Sequence, residues 1–215
     1  MKNKTFLVSL ITILLGVGVL GVLFVAYRDE RVENSDLVQI AEKLNLDVDR
    51  FLEDYESDEV KNIVEQNKNE ALEILKEAGI NGAQTPTVAI NGVYVQRVTG
   101  KTLTDLINER LENADELPIV VDIYEDYKCS ACAQFQFEVF EAYMNFTSEY
   151  VVINKKHLPF LRPQSTNYAY GAEAARKQSE EAFEKFNIEL FILNHPSISY
   201  DFYPFTEDAL AKILD

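Results

Sequence analysis

Cys129 and Cys132 are the only two cysteines in the chain, held in the short run Cys129-Ser130-Ala131-Cys132. Three kinds of chemistry suit such a pair: a structural staple, a metal site, or thiol–disulfide exchange. Closing so short a loop adds only about 2 kcal/mol by the chain-entropy argument, so a staple makes poor use of it. A zinc site needs four protein ligands, or three and a water. The only imidazoles are His157 and His195, far apart in sequence and lacking the spacing of a finger, so no metal ligands are assigned. Each histidine reads as an ordinary polar residue, His157 at a strand end and His195 in a loop. Redox chemistry is the better use of the pair.

That chemistry needs a particular setting. A first cysteine at a helix amino terminus meets orphan N–H groups and the positive end of the macrodipole, which favour its thiolate. A second cysteine one turn inside can close the disulfide and release a mixed-disulfide partner. The flanking sequence provides this. Leu117 to Tyr124, with Ile119-Val120-Val121, reads as a buried central strand, and Cys132, Phe135, Val139, Phe140 and Tyr143 share one helical face after it. Cys129 is then the attacking thiol and Cys132 the resolving one.

Thr85-Pro86-Thr87 is the second informative site. Thr85 to Ile90 reads as a strand, Asn91-Gly92 as a tight hairpin turn and Val93 to Val98 as its partner. A proline opening a strand cannot donate to the ladder and belongs at an edge or in a special geometry. X-Pro bonds are also the ones that become cis at small cost. Elsewhere the periodicity is helical: Leu37 to Leu44, Val48 to Tyr55, Asp58 to Ala78 stopped by Gly79, Thr102 to Leu111, Tyr170 to Leu193 and Thr206 to Leu214. Tyr150 to Asn154 reads as a further strand. Strands and helices alternate around the cysteines, with helix-only blocks on either side, so the expected class is α/β with a helical insertion.

The acidic balance, 36 Asp and Glu against 20 Lys and Arg for a formal charge of -16, excludes a nucleic-acid partner. At the amino end, Phe6 to Ala26 carries no charge and only Ser9 and Thr12 as polar side chains. As a helix it matches the roughly 30 Å hydrocarbon core, so residues 1–27 are expected to be a single-pass membrane anchor and 28–35 a linker. A cleaved signal peptide is the rival, with Phe24-Val25-Ala26 a poor cleavage site. Both readings place the rest of the chain, residues 36–215, on the extracytoplasmic side of the cell membrane.

These features resemble the DsbA-like branch of the thioredoxin superfamily. Glu125-Asp126-Tyr127-Lys128-Cys129-Ser130-Ala131-Cys132 is similar to that family's active-site entry, and Asn154 to Phe160 to its next strand and turn. The Ala-rich helix Ala169 to Lys177, then Phe183 to Leu193 and His195-Pro196-Ser197, are similar to the start of its helical insertion. Leu46 to Phe51, and Gly79 through Asn91-Gly92, are similar to the insertion's end and its cis-proline hairpin. The family order is inverted here, because the hairpin precedes the cysteines. The resemblance therefore implies a circularly permuted thioredoxin-like fold, its helical insertion formed by residues 36–78 and 164–215 and its new joint at Asn113 to Pro118. The similarity of Thr206–Asp215 and Ser35–Leu44 to one family helix fits duplication followed by trimming. The joint favours a monomer, with a swapped dimer as the alternative.

The resemblance also implies the activity: a protein thiol–disulfide oxidoreductase acting on cysteines of exported proteins, with Cys129 and Cys132 as the redox-active disulfide. A membrane redox partner would reset the pair, and no cofactor would be required. Thr85 and Pro86, joined by a cis bond, would line the substrate groove. The alternative is a non-catalytic thioredoxin-like binding module. Two departures bear on chemistry. Where the family often has a buried carboxylate, six residues before the first cysteine, Ile123 stands, with Asp122 on the opposite strand face. The intervening Ser130-Ala131 lacks the family's usual proline or histidine, which leaves the potential anywhere within roughly -270 to -120 mV.

Overall fold

A computed structural model describes residues 35–96 and 101–197. Seven helices and four strands occur among them, in the order α1 (Asp36–Lys43), α2 (Val48–Glu56), α3 (Asp58–Glu77), β1 (Thr87–Ile90), β2 (Val93–Tyr94), α4 (Leu103–Leu111), β3 (Ile119–Glu125), α5 (Ser130–Asn145), β4 (Val151–His157), α6 (Ser165–Arg176) and α7 (Glu180–Asn194). The expected anchor (Phe6–Ala26), linker and Thr206–Leu214 helix lie outside the described residues. Among the described residues no helix is long and apolar enough to cross a membrane.

The strands form one mixed sheet in the order β2-β1-β3-β4. β1 runs antiparallel to both β2 and β3, and β3 runs parallel to β4. Asn91 and Gly92 both take positive φ, +49° and +75°, as the tight hairpin requires and as few residues other than Asn and Gly tolerate. Asn91 also extends the β1–β3 pairing, accepting from Val120 N–H through its side chain and donating to Val120 C=O through its backbone, both at 2.8 Å.

Three apolar clusters hold the elements together. Val88, Ile90, Val121 and Ile123 pack with Leu103 and Ile107 of α4 and with Phe135 and Val139 of α5. On the other face, Ala89 and Tyr124 meet Ala71 and Leu75 of α3. Beyond the sheet's end, α1, α2, α6 and α7 form a helical cap whose core includes Phe51, Phe183, Phe186 and Phe191 and also Tyr127, Cys129 and Cys132. The cap thus joins helices from both ends of the described chain. Local signals explain its outlines: Ser35, Asp47, Ser57, Thr102 and Ser179 each accept a backbone N–H at a helix start.

Most expected elements are present within a few residues. β4 runs on to His157, beyond the expected Asn154, because Lys155 and His157 point into the protein toward charged partners rather than into water. The helical stretch expected through Tyr170 to Leu193 is two helices, with Ser179 capping the start of α7. β2 is a two-residue strand, shorter than the expected Val93 to Val98.

Candidate active site

β3 ends at Glu125, and a turn of four residues carries the chain into α5. Cys129 is the N-cap of that helix, with extended dihedral angles. Cys129 N–H donates to Asp126 C=O at 2.9 Å, which closes the turn. At the helix start, Cys132 N–H donates to the Cys129 sulfur at 3.3 Å. Cys132, one turn in, is fully buried, while Cys129 keeps 8% of its surface exposed. Both are thiols.

The Thr85–Pro86 hairpin meets this helix end. The connection from α4, residues 112–118, delivers β3 beside β1 within the same chain. The result is that Thr85 C=O lies 3.5 Å from the Cys129 sulfur. The Thr85–Pro86 peptide bond is cis. The Thr85 hydroxyl is buried and has no hydrogen-bond partner of its own, so it is free to donate to a thiolate beside it. Two segments read separately from sequence, Thr85-Pro86 and Cys129–Cys132, therefore share one site.

The electrostatics divide the two sulfurs. Cys129 is lowered from 9.0 to about 6, chiefly because the Cys132 thiol donates to it; the Thr85 hydroxyl and the N–H groups of Cys132 and Ala131 assist against the opposing effect of burial. At pH 7 that leaves thiolate over thiol by about ten to one. Cys132 moves the other way, far above its ordinary value, because burial and its donation to Cys129 both favour the thiol. One cysteine is ready to attack, and the other stays protonated until it is needed.

The carboxylate missing at position 123 is present at 125. Glu125 is buried, and desolvation pushes it up to about 8, against the pull of Lys155 and Gln136. Its charge also bears on Cys132. Both its oxygens accept from Gln136 Nε2 at 2.7 Å. Gln136 accepts from Asn187 of α7, and Asn187 accepts from the Tyr127 hydroxyl. Lys155 beside it makes a buried ion pair with Glu184, also from α7, at 2.5 Å. Ile123 is fully buried in apolar surroundings, and Asp122 on the other face pairs with Lys156. A signal for Glu125 was present: it lies on the same strand face as Ile119, Val121 and Ile123, one step further along that inward row.

The histidines lie near this seam, and His157 is more than a surface polar residue. His157 Nε2 is 2.8 Å from Glu173 of α6, with both side chains buried. Burial acts to raise Glu173, and His157 and Arg176 overcome it, holding the carboxyl below its usual value. His195 Nε2 lies 3.0 Å from Tyr127 C=O. Among the described residues, no three His, Cys, Asp or Glu side chains are grouped to hold a metal ion.

Comparison with known families divides the chain at one point. The family model for the DSBA-like thioredoxin domain matches residues 18–112, which include Thr85 and Pro86. A thioredoxin family model matches residues 114–197, which include both cysteines. No match was found among curated proteins. DSBA-like proteins are generally thiol–disulfide oxidoreductases. With a hairpin from one matched segment set against a cysteine helix from the other in a single sheet, the chain is a DsbA-like member of the thioredoxin superfamily.

Proposed function

We propose that the chain is a membrane-anchored thiol–disulfide oxidoreductase acting on cysteines of exported proteins. The observation that carries the reading is the 3.5 Å approach of the Cys129 sulfur to Thr85 C=O, next to the cis Pro86. It puts a reactive sulfur beside a half-buried backbone segment at the start of β1, against which an extended substrate segment can lie. In the reducing direction, the Cys129 thiolate attacks one sulfur of a substrate disulfide. A Cys129–substrate disulfide forms, and the first substrate thiolate leaves. Cys132 then loses its proton and attacks the Cys129 sulfur; the second substrate thiol departs, and two electrons have passed to the substrate. Run backwards, the same steps oxidise a dithiol. Glu125, a buried carboxyl whose charge bears on Cys132, is the group proposed to take or return the Cys132 proton.

Phe6–Ala26 is the proposed anchor, with the catalytic domain outside the membrane and a membrane redox partner resetting the pair. The reversed order of hairpin and cysteines supports circular permutation, with Asn113 to Pro118 as the joint. A change of family match between residues 112 and 114 is in keeping with that joint. Because one chain supplies both parts of the site, a monomer is the favoured state. No cofactor enters the cycle.

The test is thiol exchange with a cysteine-containing unfolded protein, following the mixed disulfide. Wild-type protein should turn over. Cys132→Ser should trap substrate on Cys129, and Cys129→Ser should be inert. Wild-type protein that exchanges nothing in either direction, yet still binds such substrates, would replace this reading with the binding module.

A further inference from the structure

The three residues between Glu125 and Cys129 include one side chain that the exchange steps do not use. Asp126 is almost fully buried, three positions before the reactive sulfur. Its Oδ1 accepts from Lys128 N–H at 2.9 Å, making a local turn around its own backbone. Its Oδ2 accepts from both Phe160 N–H and Leu161 N–H, each at 2.9 Å. Those two N–H groups belong to the loop between β4 and α6, whose side chains there, Phe160 and Leu161, face solvent. The Asp126 backbone C=O meanwhile holds Cys129 N–H. A single carboxylate thus fastens the cysteine turn to a loop more than thirty residues later in the sequence.

We propose that Asp126 is a positioning residue for Cys129: its carboxylate clamps the β3–α5 turn against the β4–α6 loop and so delivers the Cys129 sulfur to the open N–H groups at the start of α5. The sulfur's low proton affinity depends on its placement, since the groups that stabilise its thiolate, from Cys132, Thr85 and Ala131, act only at short range. A turn that drifts would separate the sulfur from them. The carboxylate is suited to the grip because it offers acceptors only, and three donors converge on it. Replacing it by an amide keeps the shape and introduces a donor. However that amide is turned, its NH2 meets at least one of the three N–H groups, and a buried donor is left unpaired.

Charge and position predict opposite signs here. If Asp126 acted on Cys129 as a nearby anion, neutralising it would favour the thiolate and lower the pKa. If it acts by holding the turn, losing the grip raises it. The experiment is a pH titration of thiolate absorbance in the reduced full chain, for wild type, Asp126→Asn and Phe160→Pro. Phe160→Pro removes one of the clamped N–H groups and leaves the carboxylate and both cysteines untouched. The expected result for Asp126→Asn is a Cys129 midpoint higher by about one unit or more, a tenfold loss of thiolate at a given pH below the midpoint. Phe160→Pro should give a smaller rise. A midpoint that stays put or falls in Asp126→Asn overturns the proposal, and if that variant does not fold, the same outcome in Phe160→Pro does so. The titration stands apart from the exchange reading, whose failure would appear as inert wild-type protein with an ordinary titration.

Discussion

Two stretches of the same strands face the same way and are built from opposite materials. The inward row of β3 reads Ile119, Val121, Ile123 and then Glu125; that of β4 reads Val151, Ile153 and then Lys155 and His157. The first part of each row packs on α4 and α5 in a wholly apolar cluster. The last part runs under α6 and α7, where Glu125, Lys155, Glu184, His157, Glu173, Gln136 and Asn187 are all buried. Buried charge costs stability unless it is paired and hydrogen-bonded, so the apolar stretch is the inexpensive way to fill a sheet. The polar stretch is confined to the end where the cysteines sit. Stability and proton affinity are thus handled in separate parts of one continuous row, and substitutions should sort accordingly.

The largest expected effect is at Glu125. Its folded-state pKa, about 8, lies above the ordinary 4.5, so its contribution to stability is fully present below about pH 4.5 and is lost as pH rises through 8. Across that window the loss is on the order of 5 kcal/mol by linkage. Cys129 has the opposite sign: its depressed pKa contributes stability that is full above pH 9 and lost as pH falls through about 6. Subtracting Glu125→Gln from wild type, both reduced, isolates the carboxyl. Urea denaturation should show the variant gaining steadily on wild type from pH 5 to about pH 8 and levelling off above it. A difference that does not change with pH would show that the polar stretch holds no strained carboxyl and is no different in kind from the apolar one.

One step back along the row, Ile123→Ala should cost about 3 kcal/mol, because a fully buried side chain is removed from an apolar cluster that cannot collapse around it. The loss should be the same at pH 5 and pH 9. The Cys129 thiolate titration should be unmoved in the folded variant. A shifted midpoint would mean that the apolar stretch also tunes the sulfur.

How much of this was legible in the sequence follows the same division. Cys129-Ser130-Ala131-Cys132 after a β-branched run, and Thr85-Pro86 before Asn91-Gly92, are local signals, and the structure places both segments at one site. The helical spans Leu37 to Leu44, Val48 to Tyr55, Asp58 to Ala78 and Thr102 to Leu111 rest on local periodicity too. The polar stretch was not legible, because its pairs join residues far apart in the chain: Lys155 with Glu184, Gln136 with Asn187, His157 with Glu173. No spacing rule links a lysine on a strand to a glutamate in the second helix after it. The expected strand stops at Asn154, short of Lys155, Lys156 and His157, for the same reason, since charged residues announce solvent unless their partners are known. Asp126 reads from sequence only as part of the run leading into Cys129, because its grip is on backbone N–H groups of Phe160 and Leu161 that no local pattern marks.

Two helix caps place the same chemistry on both stretches. Thr102 caps α4, which packs on the apolar stretch; Ser179 caps α7, which carries Glu184 and Asn187 into the polar one. Each hydroxyl accepts one backbone N–H, from Asp105 and Ala182 respectively, and Thr102 also shares a reciprocal bond with Asp105. Thr102→Ala and Ser179→Ala should each cost about 1 kcal/mol. Their stability losses should therefore be nearly equal, and stability alone cannot tell the two regions apart. Reactivity can. Loosening the first turn of α7 lets Glu184 and Asn187 move relative to Lys155 and Gln136, which in turn fix the surroundings of Glu125 and the charge felt by Cys132. Ser179→Ala should alter the pH dependence of thiol exchange near the Glu125 midpoint, whereas Thr102→Ala should leave it as in wild type. Identical pH profiles for the two variants would mean that α7 covers the site without tuning it.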